Sequence, residues 1–345
     1  MINREVNVSR MISKIVELAE KLSEERRKDP ELVARMGAVT QEQAPRFLLI
    51  SPITRSSQDL QLFNMRRGDS FHGTRVPNEP LLPPTESPIL LAGPASYNHW
   101  FPEHRGVILT FELEEPEEVI RVTLDNIMKH PDVIGLPLIV FRVNYERGSA
   151  RIIAHGKGRN YEMENWLLSQ IKRPDQLDSE TLVLICSDSR VQPPVTPKGL
   201  PMAIQSLGGY LPSYSGLSDE TSQLNGFFDD WLSKEMHDPR ILIVAHGNFE
   251  GESSSCGAGE ASLNPYDVST QLLREVILEL DNAARNYETK RPQTPEDRVK
   301  SLTSAVRDNL LSYPAVREAA DTRSSDFIQI LFMDTISNVL STSED

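Results

Sequence analysis

Cysteine is scarce: the 345-residue chain holds two, Cys186 and Cys256. A scaffold of several disulfides is therefore excluded, and the reducing cytosol is the default compartment. One disulfide, two buried thiols or two metal ligands all stay open. Positive charge is in deficit as well, with 36 Lys and Arg against 50 Asp and Glu for a net charge of −14. So acidic a chain is poorly matched to nucleic-acid phosphates or to an anionic membrane surface. Long apolar runs are missing too: none approaches the roughly 18 residues of a membrane span. Residues 1–30 form a polar-flanked amphipathic stretch without the apolar core of a signal peptide. The expectation is a cytoplasmic protein with no nucleic-acid or membrane partner, an enclosing intracellular compartment being left open. What is present, 39% hydrophobic and 25% charged residues, is an ordinary globular composition, and the length suits two domains of roughly 150 residues each.

Apolar spacing divides the chain. Ile12, Ile15, Val16, Leu18 and Leu22 recur at helical intervals and predict an amphipathic helix that packs on the body. Residues 46–50 read as a buried strand between Pro45 and Pro52, and the proline-rich segment 77–94 leaves room for a short strand at 89–92. A helix opens at Pro116 with acids in its first turn and runs towards Pro131. Strands follow at 137–143 and 150–154, then a helix and connector at 160–176 and an all-apolar strand at 181–185. A helix at 220–236 delivers the chain into a strand at 240–245, and a long helix covers 268–287. The alternation predicts an α/β fold with a mainly parallel central sheet flanked by helices.

Chemistry gathers at two strand ends. The strand at 181–185 runs into Cys186, Ser187, Asp188, Ser189 and Arg190, while the strand at 240–245 runs into His246, with Cys256 following after nine intervening residues. Such folds build sites at the carboxyl ends of their strands, so Cys186 and His246 can converge across the 59 residues between them. Two thiolates and one imidazole suit Zn²⁺, and three protein ligands leave a fourth tetrahedral position open. Asp188 is a candidate acceptor from a water at that position, and Arg190 can hold its carboxylate by a forked pair of hydrogen bonds. Gly257 and Gly259 fit the start of a helix behind Cys256 better than a nucleotide turn. His155 and His237 are read as exposed rather than as proton shuttles.

Here the sequence resembles the β-class carbonic anhydrases, whose signature pairs C-x-D-x-R on one strand end with H-x-x-C-G on another. Cys186, Asp188 and Arg190 match the first half, down to the intervening serines and the following Val191. Residues 204–210, 306–314 and 327–333 are similar to later parts of the fold, so the resemblance spans about 176–342. The second half departs from it, with residues 247–255 inserted between His246 and Cys256, a lengthened spacing similar to that of carboxysomal shell and ζ-class relatives. The resemblance implies one zinc per chain on Cys186, His246 and Cys256, with Asp188 and Arg190 organising the nucleophile. It further implies reversible hydration of CO₂ to bicarbonate and a proton by hydroxide generated at the zinc. In a closed, inactive state of the family, this aspartate instead ligates the metal and releases the arginine.

Internal similarity adds an architecture. Residues 47–55 lie beside 182–190 with Ser51 at the position of Cys186, Ile53 at that of Asp188 and Arg55 at that of Arg190. Residues 89–93 are set beside 242–246, putting Gly93 opposite His246, and 126–133 are set beside 309–316. Three matches in one order predict a duplicated fold whose first copy has lost its ligands. The expected organisation is an N-terminal helical arm at 1–40, a degenerate repeat at 41–160 and a catalytic zinc-binding unit at 161–345. The two repeats pack as an internal pseudo-dimer, with further homo-oligomerisation left open. Competing readings are a noncatalytic zinc-binding interaction protein, a hydrolase of a related small molecule such as CS₂ or COS, and a thiol redox protein using Cys186 and Cys256.

Overall fold

The computed structural model describes residues 2–28, 30, 33, 45–101, 106–248, 256–268, 270–288, 294–323 and 325–342. Apolar runs closed off by proline or turn residues make the central strands. Phe47–Pro52 (β1) is buried at every position, as a strand between two helical layers must be. Ser70–Arg75 (β2), Gly106–Glu112 (β3) and Leu138–Asn144 (β4) run parallel with it, and Ser149–His155 (β5) pairs antiparallel, giving the order β2-β1-β3-β4-β5. A second sheet is built from Leu177–Cys186 (β6), Leu200–Ser206 (β7), Arg240–Gly247 (β8), Ile328–Asp334 (β9) and the short antiparallel Leu340–Thr342 (β10). Its order, β7-β6-β8-β9-β10, repeats the first strand for strand. The protein is thus an α/β fold of two mainly parallel five-stranded sheets flanked by helices, and the repeated order is consistent with a duplicated unit.

The helices follow the apolar spacing, with one correction. Ile2–Arg27 (α1) and Ser56–Leu62 (α2) precede Pro88–Trp100 (α3), which takes in residues 89–92, expected as a strand. Four apolar residues in a row do not distinguish a strand from a buried helical turn, and Pro88 sits where helices accept proline, in the first turn. The counterpart of β8 is therefore β3, which pairs with β1 as β8 pairs with β6. Glu117–Lys129 (α4) and Tyr161–Gln170 (α5) come next. Asp219–Leu232 (α6), Gly257–Leu263 (α7), Gln271–Arg285 (α8), Pro295–Ser312 (α9) and Pro314–Thr322 (α10) surround the second sheet. In α8 the buried Leu273, Val276, Ile277 and Leu280 form an apolar stripe.

The two sheets meet edge to edge. Backbone and side-chain bonds cross between β2 with the turn after β1 and β7 with the loop after β6: Ala203 N–H to the Ile53 carbonyl at 3.0 Å, His72 N–H to the Ser187 carbonyl at 3.1 Å, and Gln205 N–H to Thr74 Oγ1 at 3.0 Å. The first two are near-reciprocal, each joining an outer strand of one sheet to the loop after the central strand of the other, the pattern of a two-fold interface. One hydrophobic core runs through the junction, including Leu48, Ile50 and Val107 from the first sheet with Leu184, Ile204 and Val244 from the second. The helices that precede each sheet are exchanged. Ser23 of α1 bonds to the Ser337 carbonyl beside β10 at 2.6 Å, whereas Met163 and Leu167 of α5 are buried with Phe47, Ile108 and Phe141 of the first sheet.

Candidate metal centre

The end of β6 delivers Cys186, the end of β8 delivers His246, and Cys256 caps the start of α7. All three are buried, and their ligand atoms lie within 4.8 Å of one another. Among the described residues this is the one group of three or more His, Cys, Asp or Glu side chains so placed. The Cys186 and Cys256 sulfurs stand 3.7 Å apart as free thiols. That is too long for a disulfide bond of about 2.05 Å and close to the spacing of about 3.8 Å that two Zn–S bonds at a tetrahedral angle impose. His246 Nδ1 meets Thr335 Oγ1 at 3.1 Å, which directs the other ring nitrogen at the thiols, and Nε2 has no hydrogen-bond partner among the described residues. A buried imidazole nitrogen without a hydrogen-bond partner among the described residues, facing two thiols, fits a soft or borderline cation.

Electrostatics at the cluster divide its groups: of the three, only Cys256 is shifted towards the deprotonated form that binds a metal. Cys256 is held well below the ordinary thiol value by the hydrogen bond from Cys186 and by the charge of His246, against the effect of burial. Donating that bond pushes Cys186 well above the ordinary value, and burial adds to the shift, so the pair gives up its first proton at Cys256. Burial alone would lower His246, but the neighbouring Cys256 thiolate and Asp188 carboxylate raise it.

Asp188 and Arg190 come together as expected. Asp188 Oδ1 accepts from the Arg190 backbone N–H at 2.9 Å and from Nε at 3.0 Å, and Oδ2 accepts from the terminal guanidinium nitrogen at 2.6 Å. Burial opposes ionisation of Asp188, but the Arg190 charge and hydrogen bonds more than offset it and hold the carboxyl below its usual range. Oδ2 lies 3.9 Å from His246 Nε2, so the carboxylate borders the cluster while remaining clasped by its arginine.

Backbone geometry near Cys186 depends on the turn after β7. Gly209 has a φ of +67°, and a Cβ there would sit 3.3 Å from the Ile185 carbonyl carbon and 3.4 Å from the Cys186 nitrogen. Ser187 N–H donates to the Ser206 carbonyl at 2.8 Å, extending the β6–β7 pairing to the loop that carries Asp188. Residues 249–255, most of the insertion between His246 and Cys256, lie outside the described residues.

The first half has no equivalent cluster among its described residues. The register Ile50↔Leu109 in β1 and β3 corresponds to Ile185↔Val244 in β6 and β8, which puts Phe111 at the place of His246. This corrects the assignment of that place to Gly93, which lies in α3. Ser51 and Ile53 stand where Cys186 and Asp188 are, and Arg55 pairs with Glu112 at 2.8 Å. Beside them, buried Arg75 covers the Phe111 ring at 4.2 Å and pairs with Glu115 at 2.6 Å.

Of the other histidines singled out in the sequence, His155 sits half-buried on β5 and contacts Glu164 at 3.1 Å. His237 is exposed, its backbone N–H bonded to Glu180. Three residues near the cluster carried no local signal: Thr335, 89 positions from the ring it orients, and Arg67 and His72, which come from the first half. Burial drops His72 to about 3 despite the nearby charge of Asp188, so its ring is neutral.

Comparisons with known proteins give fold-level likeness. No family profile matches the chain, and no curated protein sequence does. Among solved structures, the chain is similar to a tetrameric β-carbonic anhydrase from the ascomycete Sordaria macrospora, at 17% identity and a TM-score of 0.35, over 48% of this chain and 81% of that one. A Coccomyxa β-carbonic anhydrase in complex with acetazolamide aligns at 17% identity and TM-score 0.35, over 51% of this chain and 74% of that one. The β-carbonic anhydrase CcaA aligns at 18% identity with the same TM-score, over 52% and 78%.

Proposed function

We propose that this protein is a zinc-dependent carbonic anhydrase, interconverting CO₂ and water with bicarbonate and a proton. Cys186, His246 and Cys256 are assigned to one zinc per chain, and Asp188 with Arg190 to the nucleophile. On this reading residues 161–345 carry the catalytic unit and 41–160 a degenerate repeat that walls it. The observation that carries the reading is the clasped Asp188 carboxylate, 3.9 Å from His246 Nε2, which has no hydrogen-bond partner among the described residues. It leaves three ligands converging, with the acid beside them rather than among them. A zinc ion bound there supplies the Lewis acidity that brings ionisation of water to near neutral pH.

The chain's own residues do the rest. Asp188, ionised and fixed on both oxygens by Arg190, can only accept a hydrogen bond, so a water beside it turns one O–H towards the carboxylate and a lone pair towards the substrate. Arg190 keeps that acceptor from swinging onto the cluster. Thr335 fixes the imidazole plane through Nδ1, and the two thiols are buried, where charge is poorly screened.

Metal analysis joined to stopped-flow CO₂ hydration tests the reading. One zinc per chain is expected, lost in Cys186→Ser, His246→Ala and Cys256→Ser, with hydration rising as pH increases. Full metal retention by all three variants would refute the ligand set. Bound zinc without hydration between roughly pH 7 and 9 would leave the noncatalytic reading.

A further inference from the structure

The loop that carries Asp188 and Arg190 is held from outside its own half. We infer that the turn at residues 65–72, contributed by the half without ligands, is a clamp on the metal centre, with Arg67 as its positioning residue. The purpose of the clamp rests on the zinc reading above, but its construction does not.

Arg67 is 4% exposed. Its Nε donates to the Arg190 carbonyl at 2.5 Å, one terminal nitrogen donates to the Thr335 carbonyl, and the other to the Ile336 carbonyl at 3.3 Å. Next to it, Gly68 takes a φ of +83° and sends its N–H to the Ser189 carbonyl at 2.6 Å. His72 N–H reaches the Ser187 carbonyl at 3.1 Å, and Gln192 Nε2 returns a bond to the Met65 carbonyl at 3.3 Å. Carbonyls on both sides of Asp188 are thus fixed by donors from the first half. The same guanidinium also holds Thr335, whose hydroxyl meets His246 Nδ1 at 3.1 Å. One side chain therefore reaches both parts of the centre, the loop bearing the carboxylate and the partner of the ligating imidazole.

The residue type suits the task. A planar guanidinium with five N–H donors in a fixed fork can span carbonyls from two separate segments, which the compact ammonium of lysine cannot. All of its hydrogen bonds among the described residues go to main-chain carbonyls, so they define position. Ion pairing is left to Arg190. A buried cation without a bonded carboxylate is expensive to keep, and the placement of two catalytic segments gives it a use. It also gives the degenerate half a reason to persist after losing its own ligands.

Cobalt(II) loaded into the full-length protein reads the clamp directly, because its visible bands follow ligand geometry. Wild type is compared with Arg67→Met, Arg67→Lys and, as a destabilised control remote from the centre, Leu167→Ala. Arg67→Met is expected to bind one cobalt with altered bands and to release it to a chelator roughly 10–100-fold faster, the range for lost partners of metal ligands. Arg67→Lys should fall between it and wild type, and Leu167→Ala should keep the wild-type spectrum. If Arg67→Met does not fold, Arg67→Lys carries the comparison. A wild-type protein that takes up no cobalt would overturn the metal reading and the clamp's purpose with it. Wild-type uptake, with spectrum and release unchanged in the Arg67 variants, would overturn the clamp alone.

Discussion

Asp188 and His72 show how one buried neighbourhood sets opposite charge states. Asp188 stays ionised because Arg190 bonds to both of its oxygens, whereas burial outweighs the charge of Asp188 at His72 and keeps that ring neutral. Asp188→Ala is therefore expected to keep zinc and to lower CO₂ hydration at least about 100-fold, read by stopped flow beside metal analysis. Unchanged hydration would remove Asp188 from the mechanism. The expectation for His72 concerns stability. In the unfolded chain the ring takes up a proton below about pH 6.5, whereas the folded ring resists until about 3. Unfolding thus gains a proton in that window, so this contribution is complete above pH 6.5 and is lost as pH falls towards 3. Its full size is roughly 5 kcal/mol. Denaturant midpoints at pH 4.5 and 7.5 should differ less in His72→Gln than in wild type, and equal differences would contradict the assignment.

At the scale of elements, two glycines make a direct contrast. Gly209 closes the turn after β7 at positive φ, against the backbone of Ile185 and Cys186, so Gly209→Ala should cost roughly 1–3 kcal/mol and weaken metal binding. Gly93 lies inside α3, where among the described residues an added Cβ meets only Leu48 Cδ1 at 3.8 Å. Gly93→Ala should stabilise by about 0.5–1 kcal/mol, with metal content unchanged. Thermal melts of the two variants check both signs. A destabilised Gly93→Ala would show that this helix needs glycine for a reason beyond its backbone. The elements also mark how far sequence patterns reach. β1 and β6 are legible because both faces of a parallel central strand are apolar. β2, which reads Ser-Phe-His-Gly-Thr-Arg, carries no such run, and it is covered both by Tyr97 and Phe101 of its own half and by the β7 side of the other.

For the whole molecule, the exchanged helices and the shared core bind the two halves together. Removing residues 1–155 would strip α1 from the second sheet, expose the β7 edge and open a core that includes Leu184, Ile204 and Val244. A fragment beginning near residue 165 is therefore expected to aggregate or to self-associate in place of its missing partner. Light scattering and size-exclusion chromatography would read this, and a monomeric, fully active fragment would contradict it. The dependence is built from many contacts, so no single interface substitution is expected to separate the halves.

The sequence alone determined the strand ends, the residue types that converge there and the pairing of Asp188 with Arg190. Each of these depends on neighbours a few positions away, where strand direction and side-chain reach are set by local geometry. It also showed that one copy of a repeated pattern lacks ligands, since Ser51 and Ile53 stand in line with Cys186 and Asp188. Tertiary structure decided the remainder. It placed Phe111 rather than Gly93 opposite His246, because strand pairing follows the sheet register and a four-residue apolar run does not reveal whether it is helix or strand. It brought Thr335 to His246 and Arg67 to the Arg190 carbonyl, across separations of 89 and 123 residues. A guanidinium that acts through a main-chain carbonyl leaves no spacing in the sequence, because its partner is a group that every residue carries.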